Sequence, residues 1–163
     1  TYALSNEKIQ NEHTRMQTPL LHVRKPKSLE YDALRSTILA GLLQNLGKNT
    51  NEDYPQKLFE IGKVYPQVNE EPVRAGVVLC EDKANYTQAR QVLDGLLTAL
   101  GVQGTYKKTE HPTFITGRVA RVSVKNKNVA YVGEVHPLVL ENFGITMPVV
   151  AVELNLSELL PYV

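Results

Sequence analysis

The chain has 163 residues, 18 Lys and Arg against 17 Asp and Glu, and 42% hydrophobic residues, which describes an ordinary folded domain with a real core rather than a disordered tail or a disulfide-stapled mini-protein. A formal charge of +1 excludes the basic excess of an autonomous nucleic-acid binder, since neutralising several phosphates takes clustered Lys and Arg. One cysteine and four histidines exclude an internal disulfide and a structural zinc site of the usual kind, so a reducing cytoplasm is the expected compartment.

The longest apolar runs, such as Ala75 to Cys80, fall far below the roughly 20 residues of a spanning helix. No signal peptide opens the chain, and its start at Thr1-Tyr2-Ala3-Leu4 leads us to expect a fragment of a longer protein.

In chain order, Thr1 to Leu4 and Leu20 to Arg24 are weak strand candidates. From Ser28 to Gly47, Leu34, Ile38, Leu39, Leu42, Leu43 and Leu46 recur at three- and four-residue spacing and predict one amphipathic helix. Ser28 suits its N-terminal cap, and Gly47 the left-handed residue that ends it. Its Leu34, Ile38 and Leu42 are expected to be buried against a sheet. Strands follow at Leu58 to Tyr65 and Val73 to Cys80, rich in branched and aromatic residues. A second helix spans Tyr86 to Leu100, with Ala89, Val92, Leu93, Leu96, Leu97 and Leu100 inward and Gly101 past its end. Arg118 to Lys125 and Val129 to Val135 form a hairpin around Lys125-Asn126-Lys127-Asn128. A short helix opens at Pro137 and stops at Gly144, and a last strand covers Val149 to Leu154.

The connections at Asn49 to Pro55 and Pro66 to Pro72 are too short to be interdomain linkers, so residues 1–163 read as a single domain. Hairpins mixed with irregularly placed helices predict an α+β fold with a mainly antiparallel sheet. There is neither a G-x-G-x-x-G fingerprint nor a phosphate loop.

Candidate chemistry is sparse. His111-Pro112 and His136-Pro137 carry the residue type best suited to proton transfer near neutrality, but neither shows an orienting carboxylate. Both read as structural, with His136-Pro137 forming a strand-to-helix corner. Cys80 ends an apolar strand and reads as a small buried hydrophobe. Asp53, Glu60, Glu81, Asp82 and Glu153 lack the spacing of a metal-binding loop. Arg24-Lys25-Pro26-Lys27 and Lys107-Lys108 are the basic runs, and Arg24, Lys25 and Lys27 are the candidates for an RNA contact.

Three segments carry a resemblance. Leu34-Arg35-Ser36-Thr37-Ile38-Leu39-Ala40-Gly41-Leu42-Leu43, then Leu58-Phe59-Glu60-Ile61-Gly62-Lys63-Val64-Tyr65, then Gly133-Glu134-Val135-His136-Pro137-Leu138-Val139-Leu140-Glu141-Asn142-Phe143-Gly144-Ile145 are similar, in order and spacing, to the C-terminal catalytic-like domain of phenylalanyl-tRNA synthetase beta subunits, in the style of the archaeal and eukaryotic branch. The resemblance implies a class II synthetase-like antiparallel sheet flanked by helices, preceded in the full subunit by further domains. It also implies an alpha subunit as partner, in a tetramer of two alpha and two beta chains that attaches phenylalanine to tRNA(Phe). ATP and magnesium would then sit in the alpha subunit, with no catalytic, cofactor or metal residue in this chain.

Catalytic class II domains grip ATP phosphates with an Arg after the second-motif strand and another in a Gly-rich third motif. The matching stretches here read Val64-Tyr65-Pro66-Gln67-Val68 and Pro148 to Leu156, with no Arg in either, and Glu153 carries the wrong sign. The expectation is therefore a non-catalytic scaffold for the alpha subunit. The alternative is a stand-alone small-molecule binding domain or hydrolase using His111 or His136.

Overall fold

The computed structural model describes residues 1–163. Six strands form one antiparallel sheet in the order β3-β4-β8-β7-β6-β5, where β3 is Gln56–Lys63, β4 Val73–Cys80, β5 Thr105–Lys108, β6 Phe114–Val124, β7 Lys127–Val135 and β8 Val149–Asn155. A separate two-stranded ribbon pairs β1 (Leu4–Ser5) with β2 (Ala33–Leu34). The helices are α1 (Leu39–Lys48), α2 (Tyr86–Ala99), α3 (Pro137–Asn142) and α4 (Leu156–Leu159).

Successive side chains of a strand point to opposite faces, and here both faces are covered. On the first face Val78, Cys80, Val119, Val135, Val149 and Ala151 pack against Ile38, Leu39, Leu42, Leu43 and Leu46 around α1, with Val139 of α3 beside them. On the second face Ala120, Val122, Val132, Val150, Val152 and Leu154 meet Ala89, Leu93 and Leu97 of α2 and Leu159 of α4. The central strands therefore read as nearly continuous Val and Ala, because neither face is wet. A methyl added at Gly76 would come within 2.9 Å of Ile38 and Leu42, so α1 lies flat on β4 only because that residue has no side chain.

The long predicted helix from Ser28 to Gly47 does not form as one element. Ser28 instead caps a single 3-10 turn, Leu29–Tyr31, by accepting from the Glu30 amide. Ala33 and Leu34 then pair with Ser5 and Leu4, which makes Leu34 a half-buried ribbon residue rather than a member of the helical stripe. Side chains take the next amides. Gln10 Oε1 accepts from Ser36 at 3.0 Å and from Thr37 at 3.2 Å, and Glu153 Oε1 accepts from Ile38 at 2.7 Å. These captured amides place the helix start at Leu39. Ile38 and Leu42 are fully buried in the first-face core. Gly47 is inside α1 rather than past its end; a methyl there would sit 2.1 Å from the Phe143 carbonyl oxygen, so it permits close helix approach.

Helix α2 starts in an Asn85–Gln88 capping box and ends before Gly101, whose φ is +70°. Its Leu96 points largely outward, unlike the inward position its spacing predicts. Strand β5, Thr-Tyr-Lys-Lys, is an addition to the predicted elements: its Lys107-Lys108 reads as a solvated basic run, but it pairs along β6. At the opposite end of the expectations, Leu20 to Arg24 contributes only one bridge, His22 to Ala33. The β6–β7 turn carries positive φ at both Lys125 and Asn126, as a two-residue hairpin turn requires.

Candidate functional site

The first face is not covered along its whole length. Beyond the start of α1 it opens into a cleft of about 420 Å³ lined by Pro66, Arg74, His111, Arg121, Tyr131 and Glu153, among others. Pro66, after β3, and Glu153, in β8, thus line one cleft.

Glu153 is engaged through both oxygens within the fold. Its Oε1 takes the Ile38 amide and the Thr37 hydroxyl, at 2.7 and 2.8 Å, and its Oε2 faces Arg74 Nη1 at 3.3 Å. A sheet carboxylate thus holds the beginning of α1, where helix amides and the macrodipole favour negative charge. The second face repeats the device: Glu134 Oε1 accepts from the Tyr86 amide at the start of α2, and Oε2 accepts from Arg118.

Arg121 behaves differently. Its guanidinium lies 4.0 Å from the centre of the Tyr131 ring, across the β6–β7 register pair, and has no carboxylate partner. His111 meets the same Tyr131 ring edge-on at 4.6 Å and the Phe114 ring at 5.1 Å. Burial, reinforced by the positive charge of Arg121, pushes His111 down to about 4, so the imidazole is neutral at pH 7. Its Nδ1 accepts from the Thr113 amide at 3.3 Å, which leaves Nε2 as the donor. A nucleoside triphosphate with magnesium does not fit this set: one unpaired guanidinium shares the cleft with Glu110 and Glu153, and no group of three or more His, Cys, Asp or Glu comes together.

His136 is elsewhere. It accepts the Leu138 amide on Nδ1 at 3.1 Å and caps α3, with Pro137 as the first helical residue. Neither His111 nor His136 is hydrogen-bonded to a carboxylate, and only His111 lines the cleft. Cys80 is buried in the first-face core, and burial pushes its thiol up to about 11, which suppresses the nucleophilic thiolate. Arg24, Lys25 and Lys27 are exposed on the loop before the 3-10 turn, apart from the cleft, with Lys25 at φ +56°.

A second surface stands out at the β3 edge. Lys57, Phe59, Ile61 and Lys63 project from the second face beyond the reach of α2. Phe59 is 76% exposed and Ile61 61%. On the other side of the same strand Glu60 accepts from Arg35 at 2.6 Å and from the Thr1 hydroxyl, which draws the β1–β2 segment against this edge. That segment exposes Tyr2, 77% accessible and stacked edge-on with Tyr31 at 5.9 Å.

Apolar spacing does not single out Arg121 and Tyr131, which meet in the cleft, or Gln10, which holds the Ser36 and Thr37 amides. An unbroken two-residue hairpin would place Val122 opposite Val129 and Arg121 opposite Ala130; a bulge shifts the register so that Arg121 faces Tyr131. Such a shift leaves no mark in apolar spacing, because Val129 and Ala130 are both buried.

No helix is long and apolar enough to cross a membrane. The chain is 39% identical over 148 residues to a phenylalanine–tRNA ligase beta subunit of Thermococcus kodakarensis, an overlap covering 86% of this chain and 25% of that subunit. It is 37% identical over 169 residues to the Pyrococcus abyssi beta subunit, covering 98% and 30%, and 40% identical over 146 residues to that of Thermofilum pendens, covering 85% and 26%. The chain thus spans less than a third of the length of these relatives. A family model described as the phenylalanyl tRNA synthetase beta chain CLM domain matches residues 1–156. With residues 1–156 matched by that model, the chain belongs to the phenylalanyl tRNA synthetase beta chain CLM domain family.

Proposed function

We propose that this chain is the non-catalytic, class II synthetase-like domain from the C-terminal part of a beta subunit, and that it scaffolds the alpha subunit of a cytoplasmic tetramer that charges tRNA(Phe) with phenylalanine. The observation that carries the reading is the exposed apolar group at the β3 edge, Phe59 and Ile61 bracketed by Lys57 and Lys63, with Tyr2 on the adjoining ribbon. Buried apolar centres with charged rims are the usual anatomy of a protein interface. The beta-subunit names of the relatives supply the partner class.

The non-catalytic half of the reading rests on the cleft. No Arg occurs in Val64 to Val68, the stretch that the resemblance sets beside the second motif, and the Glu153 carboxylate already holds Ile38, Thr37 and Arg74. ATP and magnesium therefore belong to the alpha subunit. Arg24, Lys25 and Lys27 remain the proposed contact to tRNA, because they are exposed and carry no ion pair within the chain.

Co-expression with an alpha subunit of the family, followed by size exclusion, tests the reading. A stable complex is expected, lost when Phe59 and Ile61 are both changed to Asp. A pyrophosphate-exchange assay on the chain alone is expected to be silent. Measurable exchange, or a complex indifferent to both substitutions, would overturn the proposal.

A further inference from the structure

We propose that the first-face cleft binds a small monocarboxylate with an apolar or aromatic body. The cleft holds donors without partners inside the protein. Arg121 has five N–H groups and no hydrogen bond or ion pair to the protein. Arg74 reaches Ser36 and Glu153 through Nη1 but leaves Nε buried without a partner. His111 contributes an Nε2–H. Glu153 Oε1 already accepts two hydrogen bonds and Oε2 one from Arg74, so most of its accepting capacity is spent within the fold.

A guanidinium stacked on a ring is held in one orientation and presents a planar fork, which matches a carboxylate through two parallel hydrogen bonds. Charge selects among oxyanions. The one unpaired cation lining the cleft balances one negative charge, whereas Glu110 and Glu153, which share the lining, oppose the further charge of a dianion or a polyphosphate. Shape and surface select the body. The cleft volume of about 420 Å³ falls in the range of ordinary small-molecule sites, and Met16, Leu39, Pro66, Phe114 and the Tyr131 ring supply apolar wall. Because the cleft and the Phe59–Ile61 group are on opposite faces of the sheet, this site stands or falls independently of subunit docking.

Titration of the chain with benzoate, inorganic phosphate and ATP, followed by the nitrogen–proton resonance of Arg121 Nε and by calorimetry, tests the site. Benzoate is expected to shift the Arg121 resonance saturably, with phosphate and ATP binding at least about 10-fold more weakly. Arg121→Gln is expected to weaken benzoate binding about 10-fold or more, and Arg121→Lys to weaken it less, while the remote control Arg90→Gln leaves it unchanged. An Arg121 resonance that does not respond to benzoate, a preference for phosphate or ATP, or equal losses in Arg121→Gln and Arg90→Gln would overturn the proposal.

Discussion

The two edges of the six-stranded sheet are built to different rules. At one edge β5 is four residues long, and its Lys107 and Lys108 are exposed. Its single aromatic is tucked away: Tyr106 donates to Asp94 of α2 at 2.6 Å and lies beneath Arg90 at 4.4 Å. A short edge with lysines resists pairing with another chain. At the other edge β3 is eight residues long, is supported on the first face by α1, and leaves Phe59 and Ile61 bare on the second. The contrast teaches that exposure at β3 is not a general property of this sheet. The fold hides the aromatic of one edge under a helix and leaves that of the other uncovered, and that uncovered edge is the one proposed to dock a partner.

Undermining the support of β3 should give the largest effect. Ile38 is fully buried, and Ile38→Ala is expected to destabilise the chain by about 2 to 5 kcal/mol. Lys108→Ala at the β5 edge should stay within about 0.5 kcal/mol. Comparable thermal shifts in the two variants would erase the distinction between the edges.

Acid should act at the β5 end. His111, in the connection from β5 to β6, titrates at about 4 in the folded chain against an ordinary value of 6.5, chiefly through burial. As pH falls below 6.5 the unfolded chain takes up this proton first, so stability is full above that value and declines towards pH 4. The slope is about 1.4 kcal/mol per pH unit, or roughly 3 kcal/mol over the window. Denaturant titrations at pH 7, 5.5 and 4.5 should show this slope flattened in His111→Gln; an unchanged slope would place the acid sensitivity elsewhere.

Smaller still is the effect of freeing the start of α1 from the sheet. Glu153→Ala leaves the Ile38 amide, the Thr37 hydroxyl and Arg74 without their acceptor, for a loss of about 1 to 3 kcal/mol. Hydrogen exchange in Leu39–Lys48 should accelerate more than exchange in β5. The smallest stability change is expected for Phe59→Ser combined with Ile61→Ser, within about 0.5 kcal/mol per site because both side chains are already exposed. A thermal midpoint several degrees lower would mean that the pair packs within the chain rather than against a partner.

Much of this fold is legible in residue spacing. Strand β4, the body of α2 and the corner at His136-Pro137 follow from apolar periodicity and from Pro and Gly chemistry. Spacing misled at Leu34, which stands four residues before Ile38 by coincidence and belongs to the ribbon with Leu4. What delayed the start of the predicted helix was long-range capture of its amides by Gln10 and Glu153, 26 and 115 residues away from the amides they hold. No local pattern encodes that. The cleft is illegible for a related reason, since Arg121, Tyr131 and His111 meet only through a register shift in β6–β7. The outward residues of β3 follow from alternation, but their bareness depends on α2 covering β7 and β8 instead.

Hydrogen exchange on the assembled complex, compared with the chain alone, tests the central claim most directly. Assembly with an alpha subunit is expected to slow exchange across Gln56–Lys63 and the β1–β2 ribbon, while Thr105–Lys108 exchanges at the same rate in both states. Protection of Thr105–Lys108 with Gln56–Lys63 unchanged would contradict the assignment of the β3 edge as the docking surface.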